Sequence, residues 1–145
     1  MEATATYDDV NLVLRLYELR REEKLRAARK WFAANFKPAN LEEALALCPA
    51  GSEQDAYYRM VTSYWEMVAS FVTCGVLNQE LFFQSGGELL YVWERLRDLA
   101  PEVRARYQNH MAYKNLETVA NAYIQWMEKH NPGAYAAFSA RVRGR

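Results

Sequence analysis

The chain has 145 residues, the size of one ordinary domain, and 18 Lys+Arg balance 18 Asp+Glu to a formal charge of zero, which argues against a dedicated nucleic-acid binder. Alanine and leucine together supply 36 strong helix formers against 16 Val, Ile and Thr, so composition favours an all-helical fold over any sheet. With 51% hydrophobic residues, a disordered chain is excluded.

Thr6, with Asp9 three residues on, reads as a capping box, and nothing interrupts the helical pattern until Lys37-Pro38. One helix from Tyr7 to Phe36 is therefore predicted, about 45 Å long at about 1.5 Å per residue. Asn40 with Glu43 signals a short helix that ends before Pro49-Ala50-Gly51. Ser52 with Asp55 opens a third helix running to Cys74, with Gly75 as its left-handed stop and Asn78 as the next cap. Gly86-Gly87 interrupts the following segment, a helix from Glu88 to Leu99 succeeds it, and Pro101 suits the first turn of another. Asn131-Pro132-Gly133 closes the last long helix and leaves a short amphipathic tail.

Helical phase ranks these segments. In the third helix Asp55, Arg59, Thr62, Ser63, Glu66, Ser70 and Thr73 share one narrow polar strip, and apolar residues cover the rest of the circumference. This helix is expected at the centre of the core. After Pro101 the stripe Val103, Tyr107 and Met111 lies opposite the stripe Leu116, Val119, Ala120, Tyr123, Trp126 and Met127. One straight helix cannot bury both against a single layer, so a break or kink near His110 to Tyr113, or a partner on the second side, is expected. The predicted fold is an all-α, single-domain bundle of four or five main helices plus short ones, with Trp31, Trp65, Trp93 and Trp126 as core anchors.

The amino terminus has neither a basic start nor an apolar run, and the longest uncharged interval around the most apolar segment, Met67 to Gln79, is thirteen residues. No membrane span is expected, and the cytoplasm is the expected compartment. There Cys48 and Cys74 are expected as reduced thiols, Cys74 acting as a small hydrophobe.

Conventional chemistry finds few candidates. The chain has two histidines and lacks His-Glu-x-x-His, Glu-x-x-His, Cys-x-x-Cys, a phosphate-cradling glycine loop and a Gly-x-Ser-x-Gly elbow. No metal, cofactor or nucleic acid is expected, and a catalytic role is disfavoured. Three polar sites merit testing. Arg21 and Lys24 project along the apolar stripe of the first helix, within a stretch from Arg15 to Lys30 that carries seven basic and three acidic residues. That stretch could contact an anionic surface, snorkel, or pair Arg21 with a carboxylate such as Glu66. His110, Lys114 and Glu117 fall on one helical face, as an acid–base group or a solvated cluster. His130, beside Asn131-Pro132, suits a helix end.

Gly75-Val76-Leu77-Asn78, Tyr91-Val92-Trp93-Glu94-Arg95-Leu96 and Pro101-Glu102-Val103-Arg104 resemble stretches of an uncharacterised group of small bacterial helical proteins known only as a domain of unknown function. The similar region covers about residues 57–107. The resemblance implies an all-helical fold and transfers no catalytic residues; some members carry an amino-terminal membrane helix that this sequence lacks.

The leading expectation is a cytoplasmic helical interaction or scaffold protein that self-associates as a homodimer or takes another protein partner. Two alternatives stand beside it: a small-molecule pocket between helices lined by Tyr57, Tyr64, Trp65 and Trp93, and a basic first helix on an anionic surface.

Overall fold

Side-chain caps start several of the helices. The computed structural model describes residues 3–144. Helix α1 (Tyr7–Arg20) opens on the expected box: the Thr6 N–H donates to Asp9 Oδ2 at 2.7 Å and the Asp9 N–H returns a bond to Thr6 Oγ1 at 3.2 Å. Helix α2 (Glu23–Asn35) starts at a cap that the composition did not announce, where Glu22 accepts the Leu25 N–H at 2.9 Å. Asn40 caps α3 (Leu41–Leu47) and Ser52 caps α4 (Glu53–Thr73). Gly75, at φ +80°, terminates α4 while the Leu77 N–H bonds back to the Phe71 carbonyl. Asn78 then caps the five-residue α5 (Gln79–Phe83).

The long first helix is two helices. The chain breaks at Arg21 and Glu22, which leaves Arg21 and Lys24 exposed rather than on an apolar stripe. Ion pairs span the corner. Arg29 binds the Glu88 carboxylate through two bonds of 2.8 Å, Arg20 approaches the same carboxylate at 3.7 Å, and Arg29 also donates to the Arg20 carbonyl left open at the end of α1.

Glu88 lies on α6 (Gly87–Leu96), which is shorter than the Glu88–Leu99 helix read from sequence. A turn joins it to α7 (Ala100–Arg106), with Pro101 in the first turn as expected. The predicted break after Pro101 is real. Residues 107–113 form an irregular turn with left-handed Gln108 and Tyr113, and α8 (Lys114–His130) begins after it. The tail folds as α9 (Ala134–Arg143), docked through buried Val142 and half-buried Tyr135 and Phe138.

The core is organised around α4. It packs most extensively on α2 and α8 and also meets α6, which in turn supports α8 and α9. Val61, Tyr64, Trp65, Val68, Ala69 and Val72 of α4 are buried, against Phe32 from α2, Leu89, Leu90 and Trp93 from α6, and Leu116 and Val119 from α8. Each large apolar side chain so buried contributes about 1.5–3 kcal/mol. Met67 is exposed, and the strip residue Thr62 is buried instead. Trp65 and Trp93 anchor the core, whereas Trp31 and Trp126 lie at its half-buried edge. Cys74 is exposed at the end of α4, and Cys48 is the buried thiol. Among the described residues there is no strand, and no helix is long and apolar enough to cross a membrane.

Gly86 permits the closest approach in the fold's α5–α6 corner, because a Cβ there would stand 2.7 Å from the Phe82 ring and 2.8 Å from its carbonyl oxygen. Gly86→Ala is expected to cost about 1–3 kcal/mol through this overpacking, read as a lower midpoint in urea with an unchanged slope.

Candidate functional site

The polar strip of α4 becomes the wall of a groove. Asp55, Arg59, Thr62, Ser63 and Glu66 line one side; Leu41, Ala44, Leu45 and Cys48, with Leu99 and Val103, supply apolar surface; Tyr107, Asn109, Met111, Ala112 and Tyr113 complete it. The groove encloses about 530 Å³. Each polar wall group has a local reason to be there. The Thr62 hydroxyl donates to the Tyr58 carbonyl at 2.9 Å, and Asp55 pairs with Arg59 at 3.4 Å. The Glu66 carboxylate accepts from the Leu116 N–H at 2.8 Å and the Asn115 side chain at 2.9 Å, so it caps α8, whose N-terminal amides otherwise lack acceptors.

The turn over the groove is braced. Arg104 Nε donates to the Ala112 carbonyl at 2.9 Å, Asn109 accepts from the Met111 N–H at 3.0 Å, and the hydroxyls of Tyr58 and Tyr113 are bonded to one another. Burial pushes the Tyr113 phenol up to about 12, and burial with the nearby Asp55 charge pushes the Cys48 thiol up to about 11. Neither residue offers an ionised nucleophile near neutral pH.

The residues singled out from sequence are dispersed. Tyr64 and Trp65 meet edge to face at 5.0 Å and line a separate cavity of about 210 Å³ under α1. Tyr57 leans on Trp31 at 6.0 Å, and Trp93 is buried on α6; both lie outside that cavity. Arg21 is exposed and does not pair with Glu66, which is committed to α8. Glu117 is held by Arg104 at 3.1 Å and Lys114 at 3.3 Å, while His110 is exposed in the turn before the helix that carries Lys114 and Glu117. The three do not share one helix face as the spacing suggested. The His130 ring packs against Trp126 at 4.6 Å, tilted by 39°, and bonds the Trp126 carbonyl at the helix end. Among the described residues no group of three or more His, Cys, Asp or Glu could hold a metal.

Sequence reasoning missed the most buried carboxylate. Glu94, with its side chain fully enclosed, accepts from Tyr135 Oη at 2.7 Å, Ser139 Oγ at 2.6 Å and Arg143 Nε at 2.8 Å. Arg143 also reaches Asp98 at 2.9 Å. The signal was present: positions 135, 139 and 143 repeat every four residues and so share one face of the tail helix. Burial pushes the Glu94 carboxyl up, but the bonds from Ser139, Tyr135 and Arg143 and the Arg143 charge outweigh it and hold the group below the usual glutamate range.

A family model described as a domain of unknown function (DUF4760) matches residues 5–139. No curated protein and no solved structure matches the chain.

Because its carboxyl is depressed in the folded state, Glu94 adds stability that is full above the ordinary glutamate value of about 4.3 and is lost as pH falls through its lower folded value. Glu94→Gln is expected to destabilise the protein by about 3 kcal/mol at neutral pH, the low end for breaking a buried pair because Asp98 retains half of Arg143. Thermal melts between pH 7 and pH 3 check both points, with the gap between wild type and variant narrowing in acid.

Proposed function

The chain belongs to the family of the domain of unknown function DUF4760, and from that starting point we propose that it is a non-catalytic, cytoplasmic interaction module that binds a second copy of itself through the groove between α3, α4 and α7. One observation carries the reading. The groove is rimmed by large apolar side chains left in water, Leu45 at 40%, Tyr107 at 58% and Met111 at 67% exposed, beside about 530 Å³ of open, mainly apolar space. A contiguous apolar surface of this kind marks a binding site more often than it marks ordinary surface.

A second copy suits it for three reasons. Formal neutrality means that two copies do not repel. Met111 stands beside its own groove, so a two-fold axis nearby carries each copy's Met111 over the other's groove, the self-complementary arrangement of a closed dimer. Methionine is an unbranched side chain that adapts to an irregular apolar hollow. Both thiols are free, Cys48 buried and Cys74 exposed, in keeping with a reducing compartment.

The anionic-surface reading has less support. Arg20 and Arg29 are engaged by Glu88, and the exposed cations Arg15, Arg21, Lys24, Arg26 and Lys30 are interleaved with exposed Glu18, Glu22 and Glu23.

Light scattering at tens of micromolar is expected to give twice the 16.9 kDa chain mass. Met111→Glu, a change at an exposed position, and Ala44→Trp, which fills the groove, are each expected to weaken association at least ten-fold, about 1.4 kcal/mol, with unchanged helical circular dichroism. A wild-type monomer under these conditions, or a dimer indifferent to both substitutions, overturns the proposal.

A further inference from the structure

Helix α1 is apolar on two sides. Leu16 is buried, and Leu12 and Val13 are half-buried against the core. Tyr7, Val10, Leu14 and Tyr17 point away from it, from 40% exposed at Val10 to 78% at Tyr7. Their spacing of three, four and three sets them within about 80° of one another, at about 100° per residue. That is the alternation of a seam between two helices, where apolar residues recur about every 3.5 positions. Four large apolar side chains in one exposed row are a contact surface rather than scattered surface residues.

The row reads alike in both directions: tyrosine, aliphatic, aliphatic, tyrosine. A two-fold axis midway between Val10 and Leu14 therefore brings Tyr7 onto Tyr17 of a second copy, and Val10 onto its Leu14. A surface with this order is its own complement. Charge selects the direction. Exposed Asp8 lies in the first turn of α1, while exposed Arg15 lies in its second half and exposed Arg21 just beyond its end. An antiparallel copy sets the acidic end beside the basic end and carries Arg21 towards the Tyr7 ring; a parallel copy sets Arg21 against Arg21. The chain already makes an arginine–tyrosine contact here, with the Arg20 guanidinium 5.4 Å from the Tyr17 ring centroid.

We infer that α1 is a second self-association surface, pairing antiparallel with α1 of another copy through Tyr7, Val10, Leu14 and Tyr17. The stripe and the groove lie on different elements, so a chain that uses both joins groove dimers into a larger assembly. Three turns of helix fall well short of the about 20–30 residues a side of a stable complex. The pairing is correspondingly weak, with a Kd of about 0.1–1 mM, and it is mostly open at the tens of micromolar at which the groove contact is read. It does not rest on the groove.

Sedimentation equilibrium of the full chain carrying Met111→Glu, which weakens the groove contact, separates the two surfaces. Between about 0.05 and 2 mM its mass is expected to rise from one chain towards two, and adding Leu14→Glu is expected to weaken that association at least ten-fold, with unchanged helical circular dichroism. If the groove reading fails, Met111→Glu changes nothing and the effect of Leu14→Glu still reads α1 alone. Direction is read by disulfide cross-linking with Met111→Glu and Cys74→Ser in the background. In an antiparallel pair position 7 faces position 17, while the two copies of position 7 stand about 15 Å apart, beyond the reach of a disulfide. A mixture of Tyr7→Cys and Tyr17→Cys is therefore expected to cross-link roughly five-fold more than either alone, and this measurement stands even if Leu14→Glu does not fold. A single-chain mass at the highest concentration, an association that a folded Leu14→Glu leaves intact, or cross-linking of position 7 to itself as strong as to position 17 overturns the inference.

Discussion

Helix α4 has to satisfy two demands at once. Most of its circumference is apolar and is covered by α2, α8 and α6, yet the strip from Asp55 to Glu66 cannot enter that core without losing its solvation. Elements that approach the strip must therefore either supply donors or stand off from it. The start of α8 does the first, offering backbone amides to Glu66. The segments α3, α7 and 107–113 do the second, and the space left between them and α4 is the groove. The main candidate surface follows from the polar strip of the central helix.

Carboxylates fix the remaining helices in place. Asp9 of α1 accepts the Asn78 N–H at 2.8 Å and so joins the first cap to the cap of α5. Glu88 gathers Arg20 and Arg29 and sets the corner between α1 and α2. Glu94 binds three side chains of α9 and docks the tail. Arg95, one residue further on, donates to the Phe36 and Val142 carbonyls, tying the end of α2 to the end of α9. Helices that share a greasy core can slide along one another at modest cost. Directional bonds to named carboxylates and carbonyls restrict that freedom, which is how short helices such as α9 acquire a defined seat.

The two cavities differ in chemical character for the same reason. The groove is bordered by polar groups that already have partners, so it presents apolar surface and shape. The smaller cavity under α1 is lined by the apolar Leu16, Trp65, Val68 and Phe82 together with Arg20, which pairs with Glu88. The two hollows lie on opposite faces of α4, the groove along Asp55 to Glu66 and the smaller cavity along Tyr64, Trp65 and Val68.

Much of the fold was legible along the chain because it rests on local chemistry. The caps at Thr6, Asn40, Ser52 and Asn78, the stop at Gly75 and the phase reversal after Pro101 each depend on residues within about one turn, and the structure keeps them. The site was less legible. The break at Arg21, the burial of Glu94 and the choice of α8 rather than Arg21 as partner to Glu66 all arise from residues distant in sequence, such as Arg29 with Glu88 and Glu94 with Arg143. Tyr57 and Trp93 share the aromatic character of Tyr64 and Trp65 but face other neighbours, and periodicity carries no record of which helix covers which face. Sequence alone determined helical class, most helix starts and the central place of α4, since those follow from backbone capping and one-dimensional amphipathicity. Tertiary structure alone decided which polar groups found which partners and where the groove opened, because that depends on how separate helices come together in space.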